Sequence, residues 1–222
     1  MKKKNLKKLL LAVCCAALLV CVSIGATVAY LTSKDEVKNT FTVGKVAIEL
    51  DEAKLDADGK ALTGEAAARV KANSYKLMPN HEYTKDPTVT VKAGSEESYV
   101  RMLVTVTFDK VLTDAQLATK LDDIIIGYDA TEWLRNAKTA NTETKDGKTY
   151  TVITYEYRYK ETVSALTADN KLPALFTGIK VPSDWTNKTL EDLGGFEIDI
   201  VAEAIQADGF KTADLAWAAF NG

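Results

Sequence analysis

The chain of 222 residues carries 31 acidic against 28 basic side chains, a net charge of −3, and 46% of its residues are hydrophobic. This acidic balance argues against binding to nucleic acid or anionic lipid, since both need concentrated Lys and Arg. Cys14, Cys15 and Cys21 are the only cysteines and His81 is the only histidine, so thiol nucleophiles and cysteine-ligated zinc are excluded beyond the first 21 residues.

The first 29 residues have the layout of a secretory signal peptide. Lysines up to Lys8 form a basic region, an apolar run extends from Leu9 to Val22, and small residues lead to Ala29. This pattern predicts cleavage between Ala29 and Tyr30 by a signal peptidase, with membrane contact only through the uncleaved leader. The alternative is an uncut anchor, because the run from Leu9 to Ala29 reaches the roughly 20 residues that cross a bilayer.

Removal of this leader takes away five lysines, no acidic residue and all three cysteines. It leaves 23 basic against 31 acidic residues, a net charge of −8. A cysteine-free exported protein has to be held by its hydrophobic core rather than by disulfides. The roughly 190 remaining residues are enough for one such domain, so the predicted organisation is a signal peptide over 1–29 and a single domain over 30–222.

After a polar stretch from Tyr30 to Asn39, apolar residues alternate as in a strand with one buried face. The alternating positions are Phe41, Val43, Val46, Ile48 and Leu50. These apolar residues stand at odd positions before Gly44 and at even positions after it. Because neighbouring side chains point to opposite faces of a strand, this change predicts either a one-residue bulge or two short strands joined by a kink.

The sequence of residues 53–76 predicts an irregular segment outside the sheets, with a turn at Asp58–Gly59 and one or two helical turns between Gly64 and Val70. A short strand is predicted over Thr88–Val91, followed by a loop over Gly94–Glu97.

The next strand alternates from Val100 to Phe108 and carries apolar residues on both faces, so it is predicted to be central in its sheet. Arg101 in this strand is expected either to pair with a carboxylate or to reach solvent along its aliphatic stem.

A capping-box pattern at Thr113–Gln116 predicts a helix to about Leu121. Asp146–Gly147 predicts a two-residue hairpin, and the strand after it places Ile153, Tyr155, Tyr157 and Tyr159 on one face.

The segment Leu172–Pro182 is bounded by prolines and predicts an edge strand. A last long strand alternates from Phe196 to Ala204, and a final helix over Thr212–Phe220 is expected to present Leu215 and Trp217. The pattern of seven to nine strands with helices only as interruptions predicts an all-β fold, a single antiparallel sandwich of two sheets. The tryptophans are expected in the core or at sheet edges.

Side chains for catalysis are scarce. His81–Glu82 begins like a zinc-protease motif, but Lys85 stands where the second histidine is needed, and no Gly-x-Ser-x-Gly sequence is present. The acidic group Asp51, Glu52, Asp56 and Asp58 lacks the spacing of a calcium loop, which leaves a solvated turn or adventitious calcium. We therefore expect no enzyme activity, no catalytic or metal-binding residues and no cofactor.

Four blocks of the sequence resemble the TasA/camelysin family of exported proteins of Gram-positive bacteria. They are GATVAYLTSKDEVKNTFTVGKVAIELDE, LMPNHEYTKDPTV with SYVRM, LPALFTGIKVP, and FEIDIVAEAIQADGF with Ala216–Trp217. The resemblance implies a jelly-roll-like β-sandwich with short helical insertions behind a signal-peptide helix. It also implies a leader cut by a dedicated signal peptidase, SipW, and a secreted location at the cell surface or in the biofilm matrix.

In this family, TasA-like subunits assemble into fibres by donating an N-terminal strand to the sheet of the next subunit. The resemblance implies a donor over Tyr30–Leu50, with the inserted side chains Phe41, Val43, Val46, Ile48 and Leu50. One alternative is a monomeric surface or spore-coat-type module whose first strand joins its own sheet. A camelysin-like secreted protease is the third hypothesis, and the sequence lacks the metal ligands for it.

Overall fold

The computed structural model describes residues 44–75, 78–113, 124–183, 185–193 and 196–221. The predicted leader, its cleavage site at Ala29–Tyr30, the candidates Phe41 and Val43, and the predicted helix after Thr113 lie outside the described residues.

Strands dominate the described residues. They are β1 (Ile48–Ala53), β2 (Arg69–Val70), β3 (Glu82–Thr84), β4 (Thr88–Val91), β5 (Ser95–Phe108), β6 (Ile125–Ile126), β7 (Trp133–Lys145), β8 (Lys148–Tyr159), β9 (Val163–Ala165), β10 (Asn170–Lys171), β11 (Gly178–Lys180) and β12 (Phe196–Gln206). A 3-10 turn covers Gly64–Ala66, and the short helices α1 (Asn187–Leu193) and α2 (Ala213–Asn221) follow within the described ranges. No helix within the described ranges is long and apolar enough to cross a membrane.

The strands form three antiparallel sheets around one core. The largest has the order β12-β5-β8-β7, with β9 paired to the start of β5; the others have the orders β10-β4-β1-β2 and β3-β11-β6. Val89 of β4, Val104 of β5, Tyr155 of β8 and Ile179 of β11 belong to a single buried cluster. The predicted all-β antiparallel sandwich with short helices is confirmed.

Strand β5 is central, as its sequence predicts. It pairs with β12 on one side and β8 on the other. Its residues from Val100 to Phe108 alternate between a fully buried face and a face that is partly covered, on which Arg101 is also buried. The predicted face of β8 is buried from Ile153 to Tyr157.

The predicted hairpin at Asp146–Gly147 is confirmed. Both residues have positive φ, 52° and 75°, which is the conformation of a type I′ turn and the reason that Asp-Gly is favoured there. Every residue of β7 after Trp133 is solvent-exposed. Since β5 pairs with β8 only from Thr151 onward, residues 141–150 form a protruding ribbon, here named the hairpin arm.

Three predictions are wrong. Gly94–Glu97 is not a loop, because β5 already begins at Ser95, where its start pairs with β9 across an irregular register. Within Leu172–Pro182 only Gly178–Lys180 is a strand, and it lies between β3 and β6 rather than at an edge. Leu215 is 53% exposed, and α2 buries Ala216 and Trp217 instead.

The region before β2 agrees with its prediction in part. A turn occurs at Asp58–Gly59 and a 3-10 turn at Gly64–Ala66, but the two-residue strand β2 was not predicted. Residues 44–47 are not strand, and β1 begins only at Ile48. Trp133 and Trp217 are core residues, as expected.

Candidate functional site

A groove lies between β1 and β12. Among the described strands, β12 pairs with β5 alone, and β2 pairs with β1 only at Glu52 and Ala53. The opening, about 340 Å³ in volume, is lined by residues 50–52 and 71–75 on one wall and by residues 196–200 on the other. A shallower depression continues it past Ile48 and Ala202. We name the whole opening the edge groove.

The apolar walls of the edge groove are only half-buried. They are formed by Ile48, Leu50, Phe196, Ile198 and Ile200, which pack against the core. Their neighbours one strand further in are fully buried: Val91 and Val89 opposite β1, and Phe108 and Val104 opposite β12, are each 0% exposed. The core is therefore less well covered along this groove than one strand away from it.

The backbone of β1 also faces the edge groove. The Lys92 amide donates to the Ala47 carbonyl across the β1–β4 ladder. Because alternate residues of an antiparallel strand face the same neighbour, the backbone groups of Ile48 and Leu50 point away from β4. Consistent with this, Lys71 Nζ donates to the Leu50 carbonyl at 2.8 Å. An extended chain entering here meets main-chain donors and acceptors as well as apolar side chains.

Charged side chains form the rim of the edge groove. Lys71 lies 3.0 Å from Glu49, and Lys92 lies 3.6 Å from Glu49 while also pairing with Asp169. The hydrogen bond from Lys71 holds the pKa of Glu49 below its ordinary value. The hydrogen bond from Lys92 does the same to the pKa of Asp169.

Four polar side chains meet at the floor of the edge groove; we name them the floor cluster, and they are Glu52, Asn73, Tyr75 and Lys85. Lys85 Nζ donates to Glu52 Oε2 at 2.8 Å, and Asn73 Nδ2 donates to Glu52 Oε1 at 2.9 Å. The Lys85 and Glu52 side chains are only 7% and 6% exposed. Lys85 Nζ also lies 5.4 Å from the centre of the Tyr75 ring, and burial, reinforced by the charge of Glu52, raises the pKa of Tyr75.

The structure separates the predicted donor-strand candidates. Ile48 and Leu50 lie in β1, paired with Val91 and Val89 of the same chain. Val46 precedes that strand and is half-buried. Phe41 and Val43 lie outside the described residues, so their role stays a prediction.

Sequence reasoning missed the floor cluster and the β12 wall of the groove. The alternation in β12 was visible, but its position at an edge depends on pairing far along the chain. The sequence drew attention to Lys85 only because it occupies the position of the second histidine in a zinc-protease motif, and to Glu52 only as one of four neighbouring acidic residues. No local pattern links two residues that lie 33 positions apart.

The residues considered for catalysis or calcium binding have other partners. His81 Nε2 lies 3.0 Å from the Asp58 carbonyl, and its ring packs on Tyr83 at 4.5 Å. Asp51 pairs with Arg69 at 2.8 Å. Asp56 Oδ1 accepts from the amides of residues 58 and 60. Within the described part of the chain, no three His, Cys, Asp or Glu side chains are grouped as a metal site requires.

Comparisons of the chain with protein-family models, with curated proteins and with solved structures find no match.

Proposed function

We propose that this chain is a secreted structural protein, a fibre-forming or surface-associated subunit of an extracellular biofilm matrix. It assembles by receiving the N-terminal segment of a neighbouring copy in its edge groove. The observation that carries the proposal is the half-buried apolar lining of β1 and β12 beside fully buried neighbouring strands. The resemblance to TasA-like proteins supports the same mode of assembly.

The donated segment is residues 30–47, which immediately precede β1. Ile48 and Leu50 are already paired with β4, so donation by them requires β1 to leave its own sheet. Phe41 and Val43 alternate with threonines and supply apolar side chains on one face. Residues 196–202 of β12 span about 20 Å, which suits an added strand of about six residues.

Growth of such an assembly is head-to-tail. Each copy offers its N-terminal segment to one neighbour and its edge groove to another, and a contact of this kind propagates instead of closing. Main-chain hydrogen bonds contribute affinity, and the alternating side chains fix the register. In this scheme the signal peptidase is the first partner, because the donor begins at Tyr30 once Ala29–Tyr30 is cut.

Deletion of residues 30–43 from the processed protein tests the proposal, since Gly44 and all of β1 remain. We expect a folded monomer by circular dichroism and no filaments in negative-stain electron micrographs. Filaments formed by the deleted protein at the wild-type concentration would overturn strand donation.

A pair of matched apolar-to-acid substitutions tests the groove itself. Ile200 lines the edge groove, whereas Leu134 on β7 is 52% exposed and is not among the residues that line it. We expect Ile200→Asp to abolish assembly of protein that is still folded, and the matched Leu134→Asp variant to assemble normally. Equal assembly by the two folded variants contradicts a role for the groove.

One observation favours a second candidate, a monomeric surface or spore-coat-type binding module. Strand β1 belongs to the sheet of its own chain, as that hypothesis expects of the first strand. Sedimentation velocity of the processed protein separates the two functions. A single monomeric species over a wide range of concentration and pH supports the module, and growth to large species supports the fibre subunit.

A further inference from the structure

We propose that the floor cluster forms an intramolecular isopeptide cross-link between the Lys85 side-chain amine and the Asn73 side-chain amide, with Glu52 transferring the protons. The cross-link is a property of the folded chain and is independent of the assembly proposed above. It needs no cofactor and no oxidant, because the amide of Asn73 already carries its leaving group.

The first support is that one carboxylate holds both reacting groups. Glu52 binds Lys85 Nζ through one oxygen, at 2.8 Å, and Asn73 Nδ2 through the other, at 2.9 Å. The three residues come from distant positions, Glu52 on β1, Asn73 after β2 and Lys85 after β3. A positioned carboxylate between a nucleophile and a leaving group is the arrangement that general acid–base catalysis requires.

The second support is the orientation of the Asn73 amide. Its Oδ1 accepts from the Leu55 amide at 3.1 Å, and its Nδ2 donates to the Ala53 carbonyl at 2.8 Å as well as to Glu52. The side chain is therefore fixed with its carbonyl oxygen on a backbone donor. That donor stabilises the negative charge which develops on Oδ1 when a nucleophile adds to Cγ.

The third support is burial. The Lys85 and Glu52 side chains are almost completely excluded from solvent, and the Tyr75 ring packs beside Nζ. Exclusion of water from the cluster suppresses side reactions with solvent at the reacting groups. The neutral amine is the nucleophilic species.

The reaction balances within the cluster. Glu52 takes a proton from the Lys85 ammonium, and Nζ then adds to Cγ of Asn73 to form a tetrahedral intermediate. Glu52 returns this proton to Nδ2 and then accepts one of the two remaining Nζ protons as the intermediate collapses. The Nζ–Cγ bond forms and the Cγ–Nδ2 bond breaks. The released ammonia takes the proton from Glu52 and leaves as ammonium, which restores the carboxylate.

A tryptic peptide map of the purified wild-type protein tests the proposal. Cleavage after Lys71, Lys76, Lys85 and Lys92 of an unlinked chain gives peptides 72–76, 77–85 and 86–92. An acylated Lys85 resists trypsin, so the cross-linked protein gives peptide 72–76 joined to peptide 77–92, lighter than their sum by one ammonia. Recovery of unlinked 77–85 and 86–92 in full yield overturns the proposal.

Three variants identify the chemistry. Lys85→Arg removes the nucleophile and Glu52→Gln removes the proton carrier, and both are expected to lose the joined peptide. Lys71→Arg is the matched control: Lys71 pairs with Glu49 at the exposed rim, and this variant should keep the joined peptide. A joined peptide that persists in Lys85→Arg contradicts the assignment.

Formation of a succinimide at Asn73–Ser74 also releases ammonia, so it has to be distinguished from the cross-link. It leaves Lys85 free, so trypsin still cuts after residue 85, and hydroxylamine cleaves the chain at that site. A cross-link to Lys85 survives hydroxylamine and blocks the cut. The cross-link is overturned if the protein that has lost ammonia is cleaved by hydroxylamine and is still cut by trypsin after Lys85.

Discussion

At the scale of single residues, Arg101 connects the outer face of the largest sheet to the last helix. Its Nε donates to Glu203 Oε2 at 2.6 Å, and its Nη2 donates to Asn221 Oδ1 at 2.7 Å. The guanidinium stacks 4.3 Å from the Trp217 ring. With its side chain 5% exposed, Arg101 pairs with carboxylates and does not reach solvent, so the first of the two sequence expectations is correct.

Replacement of Arg101 by alanine is expected to lower the free energy of unfolding by about 3 kcal/mol, because it leaves Glu203 partly buried without its cation. Glu156 keeps its pair with Arg158 at 2.8 Å. Urea denaturation followed by tryptophan fluorescence measures the change. Lys145→Ala, at the exposed end of β7, is the control and should stay within about 0.5 kcal/mol of wild type. Similar losses in both variants would show that Arg101 has no special role.

At the scale of elements, local pattern was informative where a strand is long or its pairing is local. The alternation of β5 specifies a long strand although its partners β8 and β12 lie far along the chain, and the Asp-Gly turn specifies a hairpin between neighbours in sequence. The three-residue strand β11 has no alternation long enough to read, and its place between β3 and β6 depends on segments far along the chain. The edge groove was missed for the same reason. A strand lies at an edge when no other strand pairs with one of its sides, and the sequence of that strand alone does not show this.

Strand β11 offers a test of close backbone packing. A Cβ atom added at Gly178 would lie 2.7 Å from the Tyr83 carbonyl oxygen in the neighbouring strand. Gly178→Ala is therefore expected to cost about 1–3 kcal/mol through displacement of β3, measured as a lower thermal midpoint. At Gly44 the nearest atom is the Glu96 Cγ at 3.3 Å, a flexible side chain, so Gly44→Ala should have little effect. An unchanged midpoint for Gly178→Ala would contradict this packing.

At the scale of the whole molecule, surface ion pairs make stability depend on pH. Hydrogen bonds from lysines lower the pKa of Glu49, of Glu82 and of Asp169. A carboxylate with a lowered folded-state pKa stabilises the fold above its ordinary value and loses that contribution as the pH falls through the folded-state value. The contributions are small individually because the groups are exposed.

Thermal unfolding at a series of pH values checks this dependence. We expect a nearly constant midpoint from neutral pH down to the ordinary carboxylate values of 4.5 and 3.8, and a decline below them. Added salt should reduce the difference between neutral and acid pH, since it screens exposed pairs. A midpoint that rises on acidification to pH about 3 would contradict the assigned sign.

The hairpin arm has a practical consequence for protein engineering. Residues 141–150 project beyond the sandwich, while the register of β8 is held by its pairing with β5 and by Trp133 against Tyr159. A peptide grafted between Asp146 and Gly147 therefore replaces a turn without touching the core or the edge groove. Exposed turns of this kind accept insertions best, so this one is the natural place to display an epitope, an affinity tag or a fluorescent label on the intact protein.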